Sequence, residues 1–225
     1  AHCQRVPVLT ELIAQEACEA KEGALKDFDL DEGDWYELRV ASWLHDCGKL
    51  STPDYLLDKA TKLHILNDGI EKSNKGGEFM SEDAKQKVRD IAAYRWLDHT
   101  GIEQPMLSEQ EVAFLCIERG TITYDERQKI NNHMTVTIQM LESLPFPKNL
   151  KRVPEYAGGH HEKMDGTGFP KGLKRDEMSW PARMMAIADI FEALTASERP
   201  YKPAMKISQA LSIMQRMRDQ NHIDS

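Results

Sequence analysis

Apolar residues recur at intervals of three and four along most of the chain, which is the spacing of amphipathic helices. The pattern predicts helices over residues 2–19, 34–46, 82–97, 109–117, 125–144, 181–196 and 207–217, with a short helical stretch before Tyr156. Asp34 is the expected N-cap of the second helix, and Pro181 suits the first turn of the helix that it opens. No segment alternates apolar and polar residues as a half-buried strand does. The predicted fold class is therefore all-α, a helical bundle.

One stretch, from Asn67 to Lys87, interrupts this pattern. It is rich in Lys, Glu, Asn, Ser and Gly, and it has Gly76-Gly77 at its middle. We expect a flexible, charged insertion there rather than a part of the core. The length of 225 residues fits one domain over 1–225, since single domains commonly run up to about 250 residues.

The acidic composition narrows the classes of ligand. A formal net charge of −8 disfavours binding along a long nucleic acid, because such binding needs basic surface to displace counterions. A small phosphorylated ligand held by metal ions stays open.

Three features bear on where the protein works. No apolar run approaches the roughly 20 residues that span a bilayer. The four cysteines have no CxxC spacing, which favours reduced thiols in the cytoplasm. The chain starts abruptly, with a candidate metal ligand at His2. We therefore expect a fragment of a longer protein with an upstream sensor or regulatory domain, and the cytoplasmic end of a membrane-anchored sensor stays open.

The strongest local signal is His45-Asp46-Cys47-Gly48-Lys49, at a predicted helix end. An imidazole nitrogen and a carboxylate oxygen together suit Zn, Mn or Fe, and one aspartate can bridge two ions through its two oxygens. Adjacent side chains on a helix diverge, so both can reach one ion only if the helix loosens, which Gly48 permits. Such a pair alone is weak evidence for a metal site, because it is more often a helix-end cap or a surface pair.

The second signal is His160-His161-Glu162, which follows two glycines and precedes a loop with three glycines and a proline. Neighbouring imidazoles before a glycine-rich turn resemble a ligand pair with a substrate-lining loop. Asp189 is a third sign, because a carboxylate among apolar neighbours is costly to bury unless it meets a cation. His133 alone would be interpreted as a half-buried helical histidine.

Together these segments resemble the HD-GYP family. Residues 45–49 look like its HDxGK motif and residues 160–170 like its HHExxDGxGYP motif, and the similarity continues through 183–195 and 199–202. The family's early histidine corresponds to His2, and the histidine that it carries between the two motifs corresponds to His133. The resemblance covers nearly the whole chain apart from the insertion, and it implies an HD-superfamily helical bundle.

The resemblance also implies a centre of two divalent metal ions, Fe or Mn. One ion would be held by His2, His45, Asp46 and Asp189, and the other by Asp46, His133, His160 and His161. Some relatives hold a third ion through a glutamate one helical turn before the early histidine, a position upstream of Ala1. Hydroxide activated by the metals would attack phosphorus, with Asp46 and Lys49 as catalytic residues.

The substrate implied by the resemblance is a cyclic dinucleotide. Cyclic di-GMP, opened to pGpG and further to GMP, is the leading candidate, and 3',3'-cyclic GMP-AMP stays open. Lys49, Arg199 and Lys202 would contact phosphates and guanine. Phe169 and Glu192 replace the family's common Tyr and Asp, and we expect both to bind the substrate and to affect base selection. A diguanylate-cyclase-type domain is an expected partner.

Two other classes of function stay open. A general HD-superfamily phosphohydrolase acting on nucleotides would lack the glycine-rich loop after His161. A degenerate receptor, which binds the dinucleotide or a partner protein without turnover, would usually lack a metal ligand. The sequence carries both the loop and the full set of ligands.

Overall fold

The computed structural model describes residues 2–59, 61–63, 74, 79–196 and 204–224. The chain divides into two compact units. The first comprises residues 1–52 and 130–225, and the second comprises residues 53–129. Among the described residues, no helix is both long and apolar enough to cross a membrane.

Helices make up nearly all of the regular structure in the described residues, so the all-α prediction is confirmed. In chain order the helices are α1 (His2–Glu19), α2 (Glu32–Leu44), α3 (Asp54–Leu57), α4 (Glu82–Ala92), α5 (Glu109–Leu115), α6 (Tyr124–Asn131), α7 (His133–Glu142), α8 (Val153–Gly158), α9 (Trp180–Thr195) and α10 (Ile207–Asp219). Two short strands, β1 (Arg95–Leu97) and β2 (Glu103–Pro105), lie between α4 and α5.

The core of the first unit is formed by five of its helices. Helix α1 packs along α9 and α2, and α8 packs on α2, α7 and α9. Together with Leu30 before α2 and Leu150 before α8, their buried apolar side chains form one cluster, which also contains Ala14, Ala17, Leu38, Ala41, Leu141, Val153, Tyr156, Ala157, Met184 and Met185. These packed interfaces fix the helix ends that carry the candidate site.

The start of α2 differs from the prediction. Asp31, not Asp34, is the N-cap, because its carboxylate accepts a hydrogen bond from the backbone N–H of Asp34 at 2.8 Å. The Asp34 carboxylate accepts in return from the N–H of Asp31 at 3.3 Å. This reciprocal capping box starts the helix at Glu32. The prediction erred because both aspartates are good caps in isolation, and only the reciprocal pairing selects one.

The helix predicted over residues 125–144 is two helices, α6 and α7, separated at Asn132. Asparagine side chains compete with the backbone for hydrogen bonds, which weakens a helix at the pair 131–132. At the break, the carbonyl oxygen of Ile130 contacts Nδ1 of His133 at 2.5 Å. His133 therefore opens α7 instead of lying inside a longer helix.

The second unit contains a hairpin that periodicity did not predict. The helix expected over residues 82–97 ends at Ala92, and β1 pairs antiparallel with β2. Every residue of β1 is exposed, so the strand has no alternation of buried and exposed positions for the sequence to reveal. The Asp98 carboxylate stabilises the turn by accepting hydrogen bonds from the N–H groups of Thr100 and Ile102.

Most of the predicted insertion lies outside the described residues. Its last part, residues 82–87, forms the first half of α4, which packs on a small core of Met80, Val88, Leu107 and Leu115. In the same unit the buried Lys62 donates to the carbonyl oxygens of Leu115 at 2.9 Å and Ile117 at 2.7 Å. The end of the predicted insertion is therefore a packed element.

Gly48 lies where the 3₁₀ turn Cys47–Ser51 packs against α7. Its N–H donates to the hydroxyl of Thr137 at 2.9 Å. A Cβ atom at this position would lie 2.0 Å from the carbonyl oxygen of His133, so no side chain fits. Gly48 was predicted to loosen the helix end, and the structure adds a steric reason for a glycine at this position.

We expect Gly48→Ala to destabilise the fold, because the clash is with backbone atoms that cannot rotate away. Overpacked sites lose about 1–3 kcal/mol, and the Tm of a chain this long falls by roughly 2–4 °C for each kcal/mol. Thermal melts followed by far-UV circular dichroism measure the change. Gly33→Ala is the control, since its Cβ would meet only the Asp31 side chain, at 3.1 Å. Equal Tm values for the two variants would contradict the steric argument.

Candidate metal centre

The candidate centre begins where α2 ends. Helix α2 stops at Leu44, and His45 and Asp46 follow before the 3₁₀ turn Cys47–Ser51. Outside the regular helix the two neighbours turn toward the same side, and Nε2 of His45 lies 3.4 Å from Oδ2 of Asp46. This is the loosened helix end that a shared site requires.

Other segments of the first unit bring their side chains to the same place. His2 opens α1, His133 opens α7, His160 and His161 follow α8, and Asp189 lies within α9. Two groups have ligand atoms within 4.8 Å of one another, namely His2 with His45 and Asp46, and His133 with His160 and His161. Asp189 joins the first group through its contact with His2, so the structure brings together all seven residues predicted as metal ligands.

The two carboxylate oxygens of Asp46 face different histidines. Oδ2 lies 3.2 Å from Nε2 of His2 and 3.4 Å from Nε2 of His45. Oδ1 lies 3.4 Å from Nε2 of His133 and 3.9 Å from Nε2 of His160. One carboxylate thus lies between two groups of nitrogen atoms, as a bridging ligand must.

Two further charged groups lie on the Oδ2 side of Asp46. Oδ1 of Asp189 is 3.2 Å from Nε2 of His2, so this carboxylate meets a cationic partner, as its apolar sequence context suggested. The Lys49 ammonium is 2.5 Å from Oδ2 of Asp46, and its side chain is 37% exposed. Lys49 therefore connects the buried carboxylate with solvent.

Three imidazole rings are oriented by the last turns of helices. In each ring, Nδ1 contacts the backbone carbonyl oxygen of the residue three positions earlier. The pairs are His45 with Ser42 at 2.7 Å, His133 with Ile130 at 2.5 Å and His160 with Ala157 at 2.7 Å. Carbonyls in the last turn lack helical partners. A carbonyl only accepts, so in the neutral ring Nδ1 carries the proton and Nε2 keeps a free lone pair.

The atoms that face one another are left without hydrogen-bond partners. Nε2 of His2, His45, His133 and His160 and Oδ1 of Asp46 are buried, and none makes a hydrogen bond of acceptable geometry despite their short separations. Buried polar atoms are rarely left unpaired in native proteins. Converging nitrogen and oxygen lone pairs fit a transition metal such as Fe, Mn or Zn.

Burial lowers the pKa of the histidines that follow α8. It lowers the pKa of His160 to about 3, with repulsion from His161 and His45 adding to the effect. It lowers the pKa of His161 to about 4. Neutral imidazole is the form that binds metals, so these rings are ready as ligands at neutral pH.

At His2 and Asp46, oppositely charged neighbours outweigh burial in their effect on the pKa. Burial lowers the pKa of His2, but the carboxylates of Asp189, Asp46 and Glu192 outweigh it and raise the pKa to about 10. Burial raises the pKa of Asp46, yet the histidines around it prevail and hold the pKa below its usual range. A metal ion that binds His2 therefore displaces a proton.

Glu162 holds the glycine-rich loop beside the centre. Its buried carboxylate accepts hydrogen bonds from the N–H groups of Lys171 at 2.7 Å and Leu173 at 2.9 Å. The chain folds back at Gly168, where a Cβ atom would lie 2.4 Å from Cα of Glu162. The single buried carboxylate of Glu162 therefore holds the loop in this folded-back conformation.

The two residues that depart from the family motifs both contact candidate metal ligands. The ring of Phe169 stacks on His161, with centroids 4.9 Å apart and planes inclined by 14°. The buried Glu192 contacts Nδ1 of His2 through Oε2. Its Oε1 accepts from Nε of Arg5 at 2.8 Å and from Nη2 at 2.5 Å.

Other predicted positions fall elsewhere. Arg199 and Lys202, the expected contacts to phosphate and guanine, lie outside the described residues, as does His64. His99, which lies outside the family motifs, is exposed. His222, also outside the motifs, is half-buried, and its carbonyl oxygen accepts a hydrogen bond from the N–H of Met164 at 3.3 Å.

Sequence reasoning missed two residues of this region. Arg5 follows His2 by three residues, so the helical spacing was a signal that the two share a face. Glu162 belongs to the recognised motif, but its partners lie nine and eleven residues away in an irregular loop. Nothing in local spacing indicates that kind of contact.

Comparisons with known proteins cover most of the chain. The HD domain family matches residues 107–225. The chain is 32% identical over 214 residues to 3'3'-cGAMP-specific phosphodiesterase 3 of Vibrio cholerae, over 95% of this chain and 30% of that protein. For 3'3'-cGAMP-specific phosphodiesterase 1 of the same organism the identity is 27% over 212 residues, with coverages of 94% and 35%. For its probable cyclic di-GMP phosphodiesterase the identity is 35% over 136 residues, with coverages of 57% and 31%.

We expect Mn²⁺ to stabilise the protein and Asp46→Ala to abolish that stabilisation, because both groups of ligands share this carboxylate. A ligand that binds only the folded state adds about 2.7 kcal/mol at 100 times its Kd. Thermal melts of metal-stripped protein with and without Mn²⁺, together with metal content after gel filtration, measure the effect. Asp219→Ala, at an exposed position of the first unit, is the control. A Tm increase in Asp46→Ala equal to that of wild type would refute the shared site.

Proposed function

The chain belongs to the HD-domain family, of the HD-GYP type that its motifs indicate, and from this premise we propose that it is a metal-dependent phosphodiesterase that opens a cyclic dinucleotide. The observation that carries the proposal is the buried Asp46 carboxylate, with one oxygen toward His2 and His45 and the other toward His133 and His160. The unpaired nitrogen atoms around it support a site for two metal ions.

The proposed ligand sets are those expected from the family. His2, His45, Asp46 and Asp189 would hold one ion, and Asp46, His133, His160 and His161 would hold the other. When bound, the ions would supply an activated water at neutral pH and neutralise charge on the phosphoryl oxygens. Fe or Mn is the proposed metal, because imidazole suits Fe and carboxylate suits Mn.

The reaction adds the oxygen of water to one phosphorus atom and breaks the bond to a ribose 3' oxygen, which takes up a proton. The product is a linear dinucleotide. The part-exposed Lys49 ammonium would contact a non-bridging oxygen of that phosphate as a point charge. Water screens the part-exposed Lys49 ammonium partly, whereas it screens the buried Asp46 carboxylate much less.

The proposed substrate is 3',3'-cyclic GMP-AMP, with cyclic di-GMP as the second candidate. The two relatives whose similarity runs through 94–95% of this chain are named for 3'3'-cGAMP. A relative named for cyclic di-GMP matches 57% of it, so both candidates have support. We therefore propose the two substrates in the reverse of the order expected from the sequence alone.

The chain spans about a third of the length of these relatives, so the activity and input of the whole protein are separate proposals. An upstream sensor or regulatory domain and a diguanylate-cyclase-type partner stay predictions. So does a cytoplasmic location. The domain assignment over 1–225 stays a prediction as well.

We expect the Mn²⁺- or Fe²⁺-loaded protein to open 3',3'-cyclic GMP-AMP faster than cyclic di-GMP, and Asp46→Ala to open neither. Incubation with each dinucleotide and chromatographic separation of the products measure turnover, with Asp219→Ala as the control. A protein that carries metal at both sites and opens neither dinucleotide would contradict the proposal. Tight binding of a dinucleotide without turnover would favour the receptor alternative.

We expect Lys49→Ala to lower kcat by up to about 10²-fold, because removing one preorganised donor from a transition state commonly costs at least that factor and Lys49 is part-exposed. Metal affinity should stay equal or rise, since the ammonium competes for Oδ2 of Asp46. Steady-state kinetics and metal titration measure the two effects separately. Lys26→Ala removes an exposed cation of the same unit as the control. A loss of metal without a loss of kcat at saturating metal would overturn this role.

A further inference from the structure

His2 is held differently from the other rings of the centre. Nδ1 of His45, His133 and His160 contacts a backbone carbonyl, whereas Nδ1 of His2 contacts the carboxylate of Glu192. A carboxylate that accepts from Nδ1–H fixes the ring's tautomer and orientation and makes Nε2 a stronger donor to a metal. The Nε2 atom so prepared lies 3.2 Å from both Asp46 and Asp189.

The Glu192 carboxylate is itself fixed. The residue is 1% exposed, and its second oxygen accepts from both Nε and Nη2 of Arg5. Arg5 follows His2 on α1, and Glu192 lies one turn after Asp189 on α9. The chain of contacts from Arg5 through Glu192 to His2 therefore ties together two helices that each supply a ligand.

We propose that Glu192 is a positioning residue that sets the His2 ring as a metal ligand, with Arg5 holding the carboxylate in place. This role rests on the metal-dependent function proposed above. It differs from the base-selecting role expected for Glu192 from the sequence. Both of its oxygens already contact side chains of the protein, one His2 and the other Arg5. A hydrogen bond from Glu192 to a nucleobase would therefore have to replace one of these contacts.

An amide in place of the carboxylate separates the two roles. Glu192→Gln keeps the size of the side chain, but one of its two polar atoms becomes an NH₂ donor. If the amide oxygen stays on Arg5, the NH₂ group faces Nδ1 of His2. The ring must then accept at Nδ1 and carry its proton on Nε2, which is the atom that would bind the metal.

The test is a Mn²⁺ titration of metal-stripped wild type and Glu192→Gln against a fluorescent chelator, with steady-state kinetics on both dinucleotides. We expect one of two Mn²⁺ sites to weaken by about 10- to 100-fold. At saturating Mn²⁺ the KM and the ratio of kcat/KM for the two substrates should match wild type. Glu11→Gln is the matched control, because it alters an exposed Arg–Glu pair of the same unit.

Unchanged Mn²⁺ affinity in a folded Glu192→Gln protein would overturn the proposal, and a changed substrate ratio with unchanged affinity would return Glu192 to base selection. If circular dichroism shows that Glu192→Gln does not fold, Arg5→Lys is the second variant, since its side chain is 40% exposed. A smaller loss of affinity in the same direction supports the proposal, and none refutes it. Wild type that binds Mn²⁺ but opens neither dinucleotide would refute the enzymatic function, while the affinity comparison still decides the role of Glu192.

Discussion

The architecture of the first unit depends on one buried anion. An isolated ionised carboxylate is very costly to bury, and the Asp46 side chain is only 4% exposed. The cost is offset because imidazole rings and the Lys49 ammonium surround it from several directions. The residues that surround the Asp46 carboxylate and exclude water from it come from the ends of several helices. The apolar core holds these helix ends together, and the candidate site lies where they meet around the buried carboxylate.

The helices meet this constraint through their termini. The carbonyl oxygens in the last turn of a helix have no partner within the helix, so they are free to accept from a ring that follows closely. The ends of α2, α6 and α8 each supply one such oxygen, to His45, His133 and His160. Each ring is thus aimed by the helix that precedes it, without a dedicated side chain. The same local pattern, repeated three times, directs three nitrogen atoms toward the Asp46 carboxylate, one toward Oδ2 and two toward Oδ1.

The sequence predicted the helices and the set of residues that meet, but not the contacts that hold them. Periodicity located α1 and α9 closely because their buried faces repeat at helical spacing. It could not locate β1, whose residues are all exposed, nor choose between Asp31 and Asp34 as the cap. The histidines and aspartates were found because their order matched known motifs, which carry no distances.

The roles of Phe169 and Glu192 illustrate the same limit. Motif comparison treats a departure near the substrate loop as a change in substrate recognition, because position in a motif is all that it records. In the folded chain Phe169 packs on His161 and Glu192 contacts His2. A substitution at either position therefore changes the surroundings of a histidine in the candidate centre.

The two halves of the centre also differ in charge, and this difference follows from the residues behind the ligands. On the His2 side, the carboxylates of Asp46, Asp189 and Glu192 lie within contact distance of one imidazole. On the other side, Asp46 is the carboxylate that lies within 4 Å of the rings of His133 and His160 among the described residues, and Asp189 attracts His160 and His161 from farther away. On the His2 side the Lys49 ammonium also contacts Asp46 and the Arg5 guanidinium contacts Glu192, so these cations offset part of the negative charge around the imidazole. Glu192 adds to this contrast between the two sides through its position directly behind the His2 ring, where its carboxylate contacts Nδ1.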